Sequence, residues 1–289
     1  MFYETVKENI KKCFEKYPDK IVSVPKRRAG SAGGLPFEDW AKRVLSSYNF
    51  LTFLQEEFVK YVVEELRKRE ISPSKIKAII NEETWWGING YVISASQLEN
   101  ALKGRRVQSY QGSMADLVIF YGKDLLKDLN DVLLINIKSH DIDKESRDPN
   151  IISAKRALEF SKDLLKMAFK YPNFIEKANL WFIGIYYKSL NGSARVERVY
   201  VKDLFKLDVT RIPVINFDAA IQIQWHVMNM VERPDIDKLI FIESLADEYL
   251  KRWQMFVNKR TSSLQNLVKD LKELVKELKQ CSTQHSSVL

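Results

Sequence analysis

Met114-Ala115-Asp116-Leu117-Val118-Ile119-Phe120-Tyr121 and Asp131-Val132-Leu133-Leu134-Ile135-Asn136-Ile137-Lys138 are two short apolar runs joined by a charged connection from Gly122 to Asn130. Both are rich in Val, Ile, Leu and aromatics, so the pair reads as adjacent strands of one sheet. Side chains on a strand alternate with period 2, which puts Asn136 and Lys138 on the same face, and pairing can bring Asp116 alongside them. A carboxylate, an amide and an ammonium then cluster.

An acid opening one strand, followed by a second strand carrying acid-x-Lys, is the nuclease pattern PD-(D/E)-x-K. Ala115-Asp116 supplies the first element and Asn136-Ile137-Lys138 the second, with an amide in place of the second acid. In that pattern two acids hold magnesium against the scissile phosphate, and the lysine sits near the attacking water and the developing charge. Taken alone the signal is weak, because strands often end in a surface Lys and an Asp at a strand start is commonly a cap.

With 289 residues, 45% of them hydrophobic, the chain can bury a substantial core as one large domain or one domain plus an appendage. No apolar run approaches the roughly 20 residues that span a bilayer, and Met1-Phe2-Tyr3-Glu4 carries charge where a signal peptide is apolar. The expectation is a cytoplasmic protein without a membrane partner. Two cysteines and three histidines, none at zinc-ligand spacing, argue against a disulfide framework or structural zinc. The net charge of +8 favours a polyanionic partner without deciding it.

Helical spacing covers Phe2 to Tyr17, a stretch opening at Pro36, Leu54 to Arg69, and a helix opened by Ser72-Pro73 that runs to about Ile80. Between the first two lies Lys26-Arg27-Arg28, then a Gly-rich loop that suits phosphate contacts or serves as a solvated connector. Glu38, in the first turn after Pro36, either favours the helix macrodipole or approaches the metal site. The mixed segment flanked by Trp85-Trp86-Gly87 and the polar tract from Gly104 resists assignment. The tract holding Arg105, Arg106 and Gln108 lies just ahead of Asp116, where a DNA backbone would pass. Asn150, before a helix carrying Ala157, Phe160 and Leu164, caps that helix or contacts an adenine edge. Strands are expected over Leu180 to Tyr187 and Arg195 to Val201, joined by Asn191-Gly192, and from Ile221 the chain alternates apolar with polar through His226. Leu264, Leu267, Leu271, Leu274 and Leu278 repeat at spacings of three and four, a coiled-coil-like seam for its own subunit or a second one.

Taken together, these stretches resemble the HincII-like type II restriction endonucleases of the PD-(D/E)-x-K superfamily. The resemblance rests on Ala32-Gly33-Gly34-Leu35-Pro36-Phe37-Glu38, Ala115-Asp116 with Lys138, Pro149-Asn150-Ile151-Ile152-Ser153-Ala154, and Ile215-Asn216 with Ala219-Ala220-Ile221-Gln222-Ile223-Gln224-Trp225-His226-Val227. It implies an α/β fold, a restriction-endonuclease-like mixed central sheet flanked by helices, with a C-terminal helical extension. It also implies a homodimer that takes double-stranded DNA with a palindromic site and uses Mg2+, one subunit per half-site. By the resemblance Asp116 matches the first metal-binding Asp, Lys138 the catalytic lysine, and Asn150 and Asn216 two base-contacting asparagines. Arg147 stands where the family has a glutamine that wedges into DNA from the minor groove, and Asn136 where it has an Asp. Magnesium is bound chiefly through one or two carboxylates, so the amide implies a nuclease impaired as it stands that still binds DNA.

The expected division is a DNA-binding and catalytic domain over 1–258, an amphipathic helix over 259–280 and a disordered tail over 281–289. Two rivals remain: a DNA-binding dimer without catalysis, and a structural interaction protein built around the C-terminal helix, which would show no salt-dependent DNA binding.

Overall fold

A computed structural model of the protein describes residues 2–24, 34–75, 94–108, 113–122, 131–144, 148–170, 174–218 and 220–285. Lys26, Arg27, Arg28, the Trp85-Trp86-Gly87 segment and Arg147 lie outside the described residues. The two runs around Asp116 and Asn136 do form adjacent antiparallel strands, β3 (Leu117–Phe120) and β4 (Val132–Asp141), with Leu117 opposite Ile135 and Phe120 opposite Val132.

Around them β1 (Ile21–Ser23), β2 (Thr52–Leu54), β6 (Asn179–Leu190) and β7 (Ser193–Asp203) complete a six-stranded sheet of order β1-β7-β6-β4-β3-β2. Only the β4–β6 pair is parallel, which makes the sheet mixed. β6 and β7 are the expected hairpin, and Gly192 takes φ +80° at its turn, a conformation that needs no Cβ.

Helices cover both faces. On one, α1 (Phe2–Lys16) and α2 (Leu35–Ser47) bury Ile10, Phe14, Trp40 and Val44 against Leu117, Ile119, Ile135 and Ile183. On the other, α3 (Gln55–Lys68), α4 (Ala95–Leu102) and α5 (Ala154–Lys170) cover Val118, Phe120, Leu134 and Phe182, helped by the start of a long terminal helix. Burial on both sides explains why β3 and β4 read as continuous apolar runs rather than alternating ones. In α4, which starts within the stretch that resists assignment from sequence, Ser94 accepts from the Gln97 N–H at 3.2 Å while the Gln97 side chain accepts from the Ser94 N–H at 3.0 Å.

A second sheet of three strands, β5 (Asn150–Ser153), β8 (Val214–Asn216) and β9 (Gln222–Gln224), has the order β5-β9-β8. Asn150 therefore opens a strand, and the helix begins four residues later at Ala154. That corrects the helix-cap alternative for Asn150. Following α6 (Phe174–Lys177), the last helix α7 (Lys238–His285) is one 48-residue element that passes position 258 unbroken and continues into 281–285. No Gly or Pro interrupts Lys238 to His285, and the helix expected over Leu245 to Lys279 lies within it. No described helix is long and apolar enough to cross a membrane.

Gly184 of β6 pairs with Lys138 of β4, and a Cβ built on it would lie 2.6 Å from Val227 Cβ and 3.1 Å from Tyr186 Cε2. Val227 fills the notch. Gly184→Ala is expected to destabilise the protein by about 1–3 kcal/mol, read as a lowered thermal midpoint, since a packed core cannot absorb an extra methyl there. An unchanged midpoint would mean that the notch is open.

Candidate functional site

β4 is buried from Val132 to Ile137 and becomes half-exposed at Lys138, so its functional residues sit where the strand emerges from the core. Asn136, Lys138 and His140 lie on one face of the sheet, the face that also carries their β6 partners Phe182, Gly184 and Tyr186. Asp116 stands at the head of β3: its N–H donates to the Ile135 carbonyl at 2.8 Å, and its Oδ2 accepts from the Ile137 N–H at 2.6 Å. The strand pair thus grips the carboxylate between two residues of its neighbour. Asp116 is half-exposed as a residue, yet its carboxyl group is enclosed, and burial raises its pKa against the opposing pull of Lys138 and the Ile137 N–H.

The Asn136 amide is divided. Its Nδ2 donates to the Met114 carbonyl at 3.1 Å, while Oδ1 is buried with no hydrogen-bond partner among the described residues. An unpartnered buried acceptor costs about 1–3 kcal/mol unless something else meets it. Two further acids of β4 and its approach are engaged elsewhere: Asp131 pairs with Lys177 at 2.6 Å, and Asp141 accepts from Ser189 at 2.5 Å with Lys144 at 3.2 Å. Neither stands in for an acid at 136.

Glu38, on the first turn of α2, joins the cluster. Burial, then the nearby Asp116 and Asp39 charges, push its carboxyl up to about 8, with Lys138 pulling the other way. Of the two roles open for Glu38 in sequence, the electrostatic neighbourhood of Asp116 and Lys138 fits the approach to the metal site. Beyond Lys138, the His140 and His226 rings meet edge to face at 4.4 Å, and His226 Nε2 lies 3.7 Å from Asp148. Burial and then the adjacent His226 hold His140 below the usual histidine range.

A cleft of about 570 Å³ joins this centre to the small sheet, and Lys138, Ser113, Met114, Asn150, Ser153 and Gln222 are among its lining. In that sheet Ile152, Ile223 and Ile215 turn inward, so the opposite face carries Asn150, Ser153, Gln222, Gln224 and Asn216. Gln224 Nε2 donates to Asn150 Oδ1 at 3.0 Å, and Asn216 lies opposite Gln222. Four amides on one accessible surface can present donor and acceptor pairs to base edges, with Asn and Gln suited to adenine. Gln222 and Gln224 belong to the site although the asparagines alone are singled out from sequence; the signal was their alternation with Ile221, Ile223 and Trp225. Ala220 and Ile221 hold the turn before β9 at φ of +51° and +54°, fixed by hydrogen bonds from Ser153 Oγ and the Ala154 N–H. A β-branched residue there is strained, and the strain sets where Gln222 emerges.

Arg105, Arg106 and Gln108 are exposed after α4, anchored by the buried Val107 and by the Gln97 side chain, which donates to the Gln108 carbonyl at 2.6 Å. The cleft walls do not include them.

A carboxylate and a lysine at one strand exit, opening by a cleft onto an amide-bearing sheet, accord with the family comparison, in which the family model for restriction endonuclease HincII matches residues 27–275. The chain belongs to the HincII restriction endonuclease family. No curated protein sequence matches it. The mixed sheet with flanking helices is the restriction-endonuclease-like fold, and membership makes this HincII-family chain a nuclease that hydrolyses DNA. Enzymes of the HincII family use a divalent metal. Among the described residues no group of three or more His, Cys, Asp or Glu converges as a ligand set. Two carboxylates completed by phosphate oxygens suffice for magnesium, so Asp116, Glu38 and the unpartnered Asn136 Oδ1 fit such an ion.

Proposed function

We propose that the protein is a dimeric, magnesium-dependent type II restriction endonuclease that recognises a palindromic double-stranded site and that Asn136 leaves catalytically weak. The observation that carries this reading is the cleft shared by Lys138 and Asn150, which sets backbone chemistry and base readout side by side. Asp116, residue 136 and Glu38 would hold the metal, which when bound supplies positive charge against the scissile phosphate. Lys138 orients the attacking water and stabilises the negative charge that develops on the phosphate oxygens. Water adds to phosphorus as the bond to the 3′ oxygen breaks, leaving a 5′-phosphate and a 3′-hydroxyl. Lys26, Arg27, Arg28, Arg105 and Arg106 would follow the DNA backbone, and Arg147 would enter a narrowed minor groove.

Selection from a pool of random duplexes, followed by digestion of the recovered sequences with magnesium and the Asn136→Asp variant, tests the reading. One palindromic sequence should be enriched, with affinity falling steeply with salt, and the variant should cut it at a discrete position. Enrichment without cutting would favour the binding dimer, and no enrichment would overturn both. Within the recovered site, Asn150→Ala or Asn216→Ala should cost about 1–3 kcal/mol of discrimination at one base pair per half-site, measured by competition binding. An even loss across all sequences would assign these side chains to the backbone instead.

A further inference from the structure

Beyond Asn258, α7 carries an apolar seam that no described residue of its own subunit covers. Leu250, Trp253, Val257, Leu264, Leu267, Leu271, Leu274 and Leu278 follow one another at alternating steps of three and four, with Arg260 in the same register. The register runs over about four heptads, the first two against the body and the last two, from Leu264 on, formed by leucine at every seam position. It starts against the body, where the Phe217 ring meets Trp253 at 5.3 Å and Phe256 at 5.2 Å, and Arg260 holds Asp218 at 2.7 Å. Beyond that anchor the helix leaves the body, and every residue over 258–274 is exposed. Leu264, Leu267, Leu271 and Leu274 are 62%, 55%, 53% and 55% accessible, a continuous stripe rather than scattered surface leucines.

We infer that this seam is covered by the same helix of a second copy, running parallel to it. A strict alternation of three and four is the repeat that another helix with the same repeat can interdigitate, and a second copy supplies one in register. Charge placement selects the direction. The positions flanking the seam are Val268 and Val275 on one side and Asp270 and Glu277 on the other, while Lys269, Lys272, Lys276 and Lys279 lie on the outer face. In a parallel pair the acidic flank of each copy meets the valine flank of the other; in an antiparallel pair acid meets acid, which is repulsive. The inference deepens the dimeric part of the proposed function and rests on it only for what the pairing serves, since pairing is measurable without DNA.

Light scattering on the eluting full chain, with no DNA present, should give the mass of a dimer at micromolar concentration. The Leu267→Lys/Leu274→Lys variant should shift to the monomer, its dissociation constant raised at least 100-fold, while the outer-face Lys272→Ala control stays dimeric. Both seam positions are exposed, so an unchanged circular dichroism spectrum of the body confirms that the variant is folded. A monomeric full chain, or a variant as dimeric as its parent, overturns the inference. Oxidation with copper phenanthroline reads the direction, because the register carries Cys281 to the seam of both copies only when they run parallel, and Cys13 is buried. A disulfide-linked dimer absent from Cys281→Ser supports the parallel pair, and its absence overturns that arrangement. Cleavage by the Asn136→Asp protein is scored separately: a dimer that cuts nothing fails the nuclease reading and leaves the seam standing.

Discussion

Asn136→Asp is expected to raise the initial rate of plasmid cleavage in magnesium by at least about 10²-fold, because the substitution adds a full negative charge at the proposed metal site. The structure adds a second signature. Asn136 Nδ2 donates to the Met114 carbonyl at 3.1 Å, so the carboxylate would set an oxygen against another acceptor and lose that bond. Without metal the variant should therefore be about 1–3 kcal/mol less stable than its parent. A bound cation relieves the conflict by drawing the carboxylate away from Met114. Melting curves in EDTA and in magnesium separate the two proteins: a large magnesium-induced rise is expected for the variant and a small one for the parent. Equal cutting rates and equal shifts would remove position 136 from the metal site.

Glu38→Gln should move stability and activity in opposite directions. The Glu38 carboxyl, ordinarily near 4.5, is raised to about 8 in the folded protein by burial and by Asp116. A raised value means that the folded state holds a proton the unfolded state releases. Its contribution is complete below pH 4.5, declines as pH rises, and is gone above about pH 8. Glutamine does not ionise, so at pH 8 the metal-free variant should be more stable by about 2–4 kcal/mol, with the difference vanishing towards pH 4.5. In the Asn136→Asp background the same change should cut cleavage at least 10-fold, as loss of a carboxylate weakens metal binding. Thermal midpoints across pH in EDTA, set beside rates in magnesium, measure both. If Gln gains no stability at pH 8, Glu38 faces solvent rather than the cluster.

Much of the centre was legible because it is local. Asp116 and Lys138 sit on two strands whose apolar runs declare themselves, and the β6–β7 hairpin announces its turn with Asn191-Gly192. The three-stranded sheet was harder, since β5, β8 and β9 are short and come together from distant stretches of chain. A strand of four residues before a helix, as at Asn150, has the same residue types as a cap. Glu38 was ambiguous for a different reason: an acid in a first turn suits every helix, and only its position relative to Asp116 and Lys138 distinguishes the roles. The helix from Leu245 to Lys279 was legible because that run contains no backbone breaker; α7 extends it at both ends, to Lys238 and His285.

Gly184 deserves a mechanical reading. Its missing side chain lets Val227 seat directly on β6 beside Lys138, and Val227 follows Trp225, whose N–H donates to the Pro149 carbonyl at 3.0 Å next to Asn150. Behind the cleft, the segment that follows the small sheet is thus packed through Val227 onto the strand next to Lys138, and a packed interior yields little under load. Tolerance in such a device lies in its substrate. On the proposed function, a wrong base pair would not be accommodated by letting one sheet slide over the other, so the misfit would fall on the duplex, and stiff sequences would be refused even where every contacted base is correct.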